Sequence, residues 1–377
     1  MTNSSDLDLR YIKLALQLSK RRIGQTWPNP SVGCVIVKDN RIVGRGITES
    51  GGRPHAETSA IEQAKGKCKG ATLYVTLEPC SHYGATPPCV ETIIKSGIRK
   101  VVCPLMDPDP RVSGAGFKNL KAANIHLDFI PIAKPWAEEV VAGFASRVTR
   151  QRPFITVKLA LSLDGRIATN LGKSKWITSH LSRNRVHLLR AQNDAVLVGT
   201  GTFLHDNPKL DIRGSLENLR SPLRVFLDRK LLVFPSKSII ENLIKYPSII
   251  AYGDDYDLNN FDIWKKTNTQ LIKIPVADNK LNLKYLFRML ADRGITSLLI
   301  EGGGKLVTNL LLDNLIDKLV VYRSGLILGS NGLPSFLEIL NSAQEIKDYP
   351  KFVLKTTNQY GDDIESIWDR SDLSNNF

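Results

Sequence analysis

The feature that most constrains this chain is a set of three soft metal ligands with an acid beside the first: His55-Ala56-Glu57, then Pro79-Cys80, then Cys89. One imidazole and two thiolates make a zinc set with three protein donors. Three donors leave a fourth position for water, which marks a site that does chemistry rather than one that only holds a fold. A cation there brings the pKa of that water toward about 7. Two thiolates cancel the double charge, so the site can be buried without an unpaired charge. Glu57 lies two residues after the imidazole, at the start of a predicted helix, where it can carry protons without ligating. Both His55 and Cys89 fall at predicted helix N-termini, where the positive end of the dipole favours thiolate. A closed, purely structural site would need a fourth ligand, and His82 is the nearby residue that could supply it. The glutamate and the Pro-Cys context favour the open site.

Around these ligands, helix and strand signals alternate. Leu9, Ile12 and Leu16 lie at helical spacing behind Asp6, which can cap that helix. Residues 32–37 read as a buried strand, 38–41 as a turn and 42–46 as its hairpin partner. Helices are predicted at 55–66, 89–96 and 117–124, and strands at 72–77, 98–105 and 125–130. Gly97 stands where a helix C-terminal glycine belongs. The alternation predicts a three-layer α/β/α domain over residues 1–150, closed by a helix at 135–150. Pro153 disfavours helix at the residue before it, so 151–153 reads as a linker. A second α/β pattern fills 151–377, with strands at 155–162, 195–198, 223–227, 297–301 and 318–322. Helices are predicted near 181–192 and 283–292, and a terminal hairpin at 352–368 turns at Gln359-Tyr360-Gly361.

Length and composition agree with two ordinary domains. The chain has 377 residues, enough for two cores, with 42% hydrophobic and 23% charged residues. No apolar run approaches a membrane-spanning helix. Residues 1–20 carry alternating charges and no apolar core, so no signal peptide is expected and the cytoplasm is the expected location. Lys and Arg number 51 against 37 acidic residues, a net charge of +14. Most of these basic residues read as a solvated basic surface, and the sharper reading is attraction to a polyanion or to phosphorylated small molecules. Charge alone leaves nucleic-acid binding open, but the basic residues are spread without a dense block, so a dedicated nucleic-acid arm is not indicated. Five cysteines, an odd number, argue against a disulfide framework. Cys34 and Cys103 sit in apolar strand-like runs and read as core residues. Cys68 sits in a Lys-rich loop.

The thiolate spacing discriminates among deaminases. A His-x-Glu followed by Pro-Cys and a later Cys is the signature of zinc deaminases, usually with two residues between the cysteines. Here eight residues lie between Cys80 and Cys89. That insert, Cys80-Ser81-His82-Tyr83-Gly84-Ala85-Thr86-Pro87-Pro88-Cys89, resembles the deaminase half of the bifunctional deaminase/reductase family of riboflavin biosynthesis. So do Pro28-Asn29-Pro30-Ser31-Val32-Gly33, Thr76-Leu77-Glu78-Pro79-Cys80, Met106-Asp107-Pro108-Asp109-Pro110 and Gly114-Ala115-Gly116. The resemblance implies a cytidine-deaminase-like fold with one zinc ion on His55, Cys80 and Cys89. It implies Glu57 as the catalytic proton carrier, Asn29 holding the pyrimidine, and His82 and Thr86 lining the entrance.

The second half resembles the reductase half of the same family, which is similar in fold to dihydrofolate reductase. The resemblance is carried by the run Lys158-Leu159-Ala160-Leu161-Ser162-Leu163-Asp164-Gly165-Arg166-Ile167 and by Trp176-Ile177-Thr178-Ser179. It is also carried by Thr202 with Asp206-Asn207-Pro208, by Arg224-Val225-Phe226-Leu227-Asp228 and by Glu301-Gly302-Gly303-Gly304. The implied cofactor is NADPH, contacted by Ala160, Trp176, Thr202, Asp206, Gly303, Gly304, Lys305 and Leu306. Implied substrate contacts are Ser174, Arg190, Leu210, Arg213 and Glu301. The glycine run has a physical argument of its own: it follows an apolar strand and opens a helix, presenting free backbone N–H groups to a phosphate. Its spacing is not the Rossmann fingerprint. Arg190 and Arg213 suit phosphate because guanidinium binds it bidentately; as surface salt bridges they would be worth little. Asn207 and Asp211 stand where the family often has Asp and Thr, and Asp211 puts a negative charge near the expected phosphate pocket.

One reading is therefore a bifunctional enzyme that deaminates a diamino-hydroxy-phosphoribosylaminopyrimidine and then reduces the ribosyl chain to ribityl with NADPH. Its expected partners are that phosphorylated pyrimidine and further copies of the chain as a homo-oligomer, with no nucleic acid and no membrane. A second reading is a nucleic-acid or nucleoside zinc deaminase with an accessory domain, which the cysteine spacing disfavours. A third, a non-catalytic zinc-stabilised binding protein, would need neither Glu57 nor an open coordination position.

Overall fold

The computed structural model describes residues 4–206, 208–232, 237–256, 264, 267–338 and 345–371. Asn207 of the Asp206-Asn207-Pro208 motif lies outside the described residues. The chain divides into two compact units, Met1–Pro153 with Gly294–Thr296, and Phe154–Arg293 with Ser297–Phe377.

The first unit is built on a sheet of β1 (Gly33–Lys38), β2 (Arg41–Ile47), β3 (Thr72–Val75), β4 (Lys100–Cys103) and β5 (His126–Phe129), in the order β2-β1-β3-β4-β5. β1 is antiparallel to both neighbours, and β3, β4 and β5 run parallel. Asp39 and Asn40 close the β1–β2 hairpin with φ of 49° and 58°, the left-handed pair that a two-residue turn needs. Five helices flank this sheet: α1 (Ser4–Lys20), α2 (Ala56–Gln63), α3 (Cys89–Lys95), α4 (Ala115–Ala122) and α5 (Lys134–Arg150). Two glycines let the layers close. A Cβ on Gly33 would lie 1.9 Å from the Ala15 carbonyl of α1, and one on Gly46, opposite Cys34, would lie 2.0 Å from the Ala56 carbonyl of α2. Successive strand residues face opposite ways, so α1 and α2 cover opposite faces of the sheet.

The core of this unit holds Ile12, Ile36, Leu73, Ile93 and Leu120, with Cys34 and Cys103 among them. Cys68 packs there too, although its flanks read as an exposed loop. The thiol turns inward while Lys65, Lys67 and Lys69 stay exposed. α1 begins at Ser4, so Asp6 sits inside its first turn instead of capping it.

The second unit carries nine strands in one sheet: β6 (Phe154–Leu161), β8 (Ala195–Val198), β9 (Leu223–Leu227), β10 (Ser248–Tyr252), β11 (Thr269–Lys273), β14 (Ser297–Ile300), β15 (Lys318–Arg323), β17 (Phe352–Tyr360) and β18 (Asp363–Arg370). The order is β11-β10-β9-β8-β14-β6-β15-β18-β17, parallel from β11 to β15 and antiparallel beyond. β7 (Arg166–Ala168) pairs with β16 (Leu333–Pro334), and β12 (Val276–Ala277) with β13 (Lys280–Leu281), as two small ribbons. The helices are α6 (His180–Ala191), α7 (Thr200–Asp206), α8 (Lys237–Lys245), α9 (Leu283–Asp292) and α10 (Gly304–Leu312). The adjacent strands β8, β14 and β6 end at Val198, Ile300 and Leu161. Ligands of parallel sheets bind beyond such carboxyl ends, and α7 and α10 start there. Among the described residues no helix is long and apolar enough to cross a membrane.

Candidate active sites

In the first unit, His55 is the N-cap of α2, Glu57 lies in the first turn of that helix, and Cys89 opens α3 behind Pro88. Two helix starts and the loop end at Cys80 therefore converge. The His55 Nδ1 lies 3.3 Å from Cys89 Sγ and 3.6 Å from Cys80 Sγ, and the three donor atoms all fall within 4.8 Å of one another. Ordinary Zn–N and Zn–S lengths in a tetrahedron put N and S about 3.5 Å apart, so the donors already stand at the separations zinc requires. The Cys89 N–H donates to Cys80 Sγ at 3.3 Å.

The electrostatics give the same answer. The Cys89 hydrogen bond holds the Cys80 thiol down at about 4, against the opposing effect of burial and with help from His55. The same hydrogen bond to Cys80, then burial, pushes the Cys89 thiol far above the usual thiol range. A cation between the two sulfurs would let both carry a negative charge. Glu57 is 3% exposed. Burial raises its carboxyl to about 7, with His55 pulling the other way.

The expected entrance residues have definite partners. Asn29 donates to the Gly52 carbonyl at 2.9 Å. His82 is exposed, and the nearby Asp109 carboxyl is held below its usual value by its hydrogen bond from Arg111. Thr86 accepts a hydrogen bond from Arg53. Sequence reasoning passed over Arg53 and Glu78. The buried Glu78 carboxylate accepts the N–H groups of Asp107 (3.0 Å), Gly114 (2.9 Å) and Phe117 (3.2 Å), so it ties the Met106–Gly116 motif to the strand that delivers Cys80. A charged residue in the otherwise apolar approach to Pro79-Cys80 was the available signal.

In the second unit the expected residues come from distant segments. Arg190 of α6 and Glu301, just past β14, are 111 residues apart and form a bidentate pair at 2.6 and 3.0 Å. Both are nearly buried, so this is no surface salt bridge. Burial pushes the Glu301 carboxyl up, but Arg190 and Lys158 outweigh it and hold it below its usual value. Lys158 stands inside the apolar strand β6, where burial lowers it; it was missed as a site neighbour, and its charge within that strand was the signal.

Arg190 also donates to the Asp211 carbonyl at 3.2 Å, as does His187 Nδ1. The Asp211 carboxylate takes Arg213 Nε at 2.8 Å, which neutralises the charge that the sequence places near this pocket. Leu210, at φ 52°, turns its side chain into the core, so only its backbone is available to a ligand.

The expected cofactor residues lie at the carboxyl end of the sheet. Ala160 is near the end of β6, and Thr202 and Asp206 are on α7. Gly303 is the N-cap of α10, and its carbonyl accepts from Leu306 and Val307. The N–H groups of Gly303, Gly304 and Lys305 therefore precede the helix's own ladder. A Cβ on Gly303 would meet nothing within 4 Å, so the approach to these groups is open. Trp176 is 66% exposed beneath the Arg183 guanidinium, and Ser174 is half-buried two residues before it in the chain.

An open three-donor metal centre with a buried carboxylate beside it has the chemistry of a zinc deaminase, and the second unit sets an open helix terminus at the carboxyl end of a parallel sheet. Residues 5–105 match the cytidine and deoxycytidylate deaminase zinc-binding region family, and residues 153–365 match the RibD C-terminal domain family. Riboflavin biosynthesis protein RibD of Aquifex aeolicus is 41% identical over 347 residues, covering 89% of this chain and 93% of that protein. The protein of the same name from Escherichia coli is 38% identical over 368 residues, covering 95% and 98%. The solved structure of Acinetobacter baumannii RibD matches with a TM-score of 0.86 at 33% identity, over 98% of this chain and 100% of that one. A Thermotoga maritima structure, named a diaminohydroxyphosphoribosylaminopyrimidine deaminase/5-amino-6-(5-phosphoribosylamino)uracil reductase, matches at 0.83 and 34%, over 98% and 100%.

The chain belongs to the RibD family of riboflavin biosynthesis proteins. It is a bifunctional enzyme, a zinc-binding deaminase of cytidine-deaminase-like fold followed by a reductase that uses a nicotinamide cofactor. A nucleic-acid or nucleoside deaminase with an accessory domain is not favoured, because the second half has its own reductase match.

Proposed function

We propose that residues 1–150 deaminate diaminohydroxyphosphoribosylaminopyrimidine and that residues 151–377 reduce the resulting 5-amino-6-(5-phosphoribosylamino)uracil with NADPH, opening ribosyl to ribityl. The observation that carries this reading is the near-complete mutual coverage with the Thermotoga maritima protein that bears both activities in its name. His55, Cys80 and Cys89 hold zinc, and their separations and paired thiol electrostatics fit that ion. When bound, zinc supplies the Lewis acidity that makes water a nucleophile at neutral pH.

Glu57 carries the protons. Water must lose one as the carbon–oxygen bond forms, and the departing ammonia must gain one as the carbon–nitrogen bond breaks. A buried carboxyl near neutrality can do both. Asn29 fixes the pyrimidine, with His82 and Thr86 at the entrance. In the second unit the dinucleotide supplies hydride, and Gly303, Gly304, Lys305 and Leu306 receive its phosphates. Ala160, Trp176, Thr202 and Asp206 complete that cofactor site. Arg190, Glu301, Arg213, Ser174 and the Leu210 backbone hold the sugar phosphate. A cytoplasmic location suits the five free thiols.

The test is ammonia release coupled to NADPH oxidation. The phosphoribosyl pyrimidine should release ammonia and then oxidise NADPH, while free cytidine and RNA release none. Equal ammonia release from cytidine or RNA would overturn the assignment.

A further inference from the structure

At the mouth of the metal centre lies an arginine that no carboxylate neutralises. Arg53 is two residues before His55, in extended backbone, with its side chain half-buried. Its Nη1 donates to the Thr86 hydroxyl. Its Nη2 is the atom that a Cβ on Gly84 would meet, at 3.0 Å. The guanidinium therefore lies against the turn at Gly84–Thr86, which the Gly84 N–H closes onto the Thr86 carbonyl at 3.3 Å. Residues 82–87 are all exposed and form a rim.

Other cations of this region are paired: Arg22 with Glu49, Arg111 with Asp109, Lys95 with Glu91. Among the described residues no ion pair joins Arg53 to an acid. Glu49, Asp109 and Glu91 are thus committed elsewhere. An arginine held in place but left electrically unpaired suits an anion that arrives with a ligand.

The geometry points to a phosphate subsite formed by Arg53 and Thr86 at the deaminase centre, which selects the phosphorylated pyrimidine over its dephosphorylated form. This inference rests on the reading above that the substrate of the first unit carries a phosphate. The donor chemistry fits. A guanidinium has five N–H donors, and one bond to Thr86 leaves an edge free for bidentate phosphate contact. The Thr86 hydroxyl accepts from Arg53, so its own proton is free to be donated to a phosphate oxygen. Arg53 is a specificity residue in this scheme; it makes and breaks no bond.

The experiment measures ammonia release from the phosphoribosyl pyrimidine and from the same compound after phosphatase treatment. It uses full-length wild type, Arg53→Ala, Arg53→Lys and Thr86→Val. Losing a charge-assisted phosphate contact should raise the KM for the phosphorylated compound roughly ten- to one-hundred-fold in Arg53→Ala, with a much smaller change in kcat. Arg53→Lys should recover part of the loss, because it restores the charge without the fork. Thr86→Val should raise the KM less than Arg53→Ala does. Inorganic phosphate should compete with substrate in wild type and lose that effect in Arg53→Ala. Zinc content should match wild type in every variant, which separates the subsite from the metal centre.

If Arg53→Ala raised the KM equally for both compounds, Arg53 would be a strut for the 80–89 segment and the subsite would be wrong. If wild type itself treated the two compounds alike, the phosphorylated-substrate reading would fall first, and the subsite with it.

Discussion

The two centres of this protein are assembled on opposite principles. The metal centre is local: His55 and Cys89 are separated by 34 residues, and each ligand sits at a helix start or loop end that short-range signals define. The proposed reductase pocket is topological: Arg190 and Glu301 meet across 111 residues because β8, β14 and β6 are neighbours in a sheet whose order is not the chain order. A local centre announces itself by residue chemistry. A topological one is visible in sequence only through the motifs that mark its pieces.

If the centres are independent in this sense, damage to one should not reach the other. Cys89→Ala is the harshest test. It removes one of three ligands and should abolish zinc binding and deamination together, while reduction of already deaminated substrate persists. Full zinc occupancy by metal analysis would refute the ligand set. Glu57→Gln is the next largest. It keeps shape and removes the proton carrier, so deamination should fall about 10²–10⁴-fold with zinc content and NADPH oxidation on deaminated substrate at wild-type levels. Loss of that second activity would break the comparison outright.

The same contrast explains what the sequence disclosed. β8 at Ala195–Val198, β9 at Leu223–Leu227 and α9 at Leu283–Asp292 stand where periodicity and apolar runs put them. The five expected strands of the second half are the five adjacent ones at the sheet centre, β9-β8-β14-β6-β15. Those strands are apolar because helices and neighbours bury them. β10 and β11 were not anticipated. β10 is a buried run of five residues without alternation, and β11 is an edge strand with polar residues through it, so neither shows a period long enough to read.

At the sites, residue chemistry picked out His55, Cys80 and Cys89, which the fold brings together, and Glu57, which it buries in the first turn of the helix that His55 caps. It did not show that Glu78 would collect three backbone N–H groups from residues 29, 36 and 39 positions further along the chain, nor that Arg53 would reach Thr86. Those partners are chosen by the fold: the charge at Glu78 marks that residue in the sequence but not what it binds, and nothing at Arg53 names Thr86.

A smaller effect tests the open helix terminus. Gly303 has φ −75°, which any residue adopts, and a Cβ there meets nothing within 4 Å. Gly303→Val should therefore fold normally. Its branched side chain would occupy the space before the free N–H groups, and NADPH affinity should weaken roughly ten- to one-hundred-fold, the worth of one or two bonds to a charged group. Deamination and zinc content should not move. The contrast with Gly304 is built in, because a Cβ there would strike the Pro334 carbonyl at 2.7 Å and disturb the fold itself. Unchanged NADPH affinity by fluorescence titration would reduce the glycine run to a structural turn.

The smallest effect concerns stability and asks how far the topological centre depends on remote anchors. Asp363 lies just past the turn of the β17–β18 hairpin and is buried. One of its oxygens accepts the Ser179 N–H at 2.7 Å and the Ser182 hydroxyl at 2.6 Å, across 184 and 181 residues. Ser179 is the N-cap of α6, the helix that carries His187 and Arg190. A carboxylate there also sits at the positive end of the helix dipole. Asp363→Ala leaves one buried and one part-buried donor without their acceptor and should cost about 1–3 kcal/mol. With ordinary denaturant sensitivity, the urea midpoint for loss of reductase activity should fall by on the order of 1 M. The midpoint for loss of deaminase activity should stay where it is, since no ligand of the metal centre depends on α6. Asp363→Asn sharpens the point. Its amide oxygen can still accept both bonds, so only the charge is lost, and the shift should shrink to about 0.3–1 kcal/mol. An equal fall of both midpoints in Asp363→Ala would show that the two units unfold as one, and the independence of their centres would then hold for chemistry but not for stability.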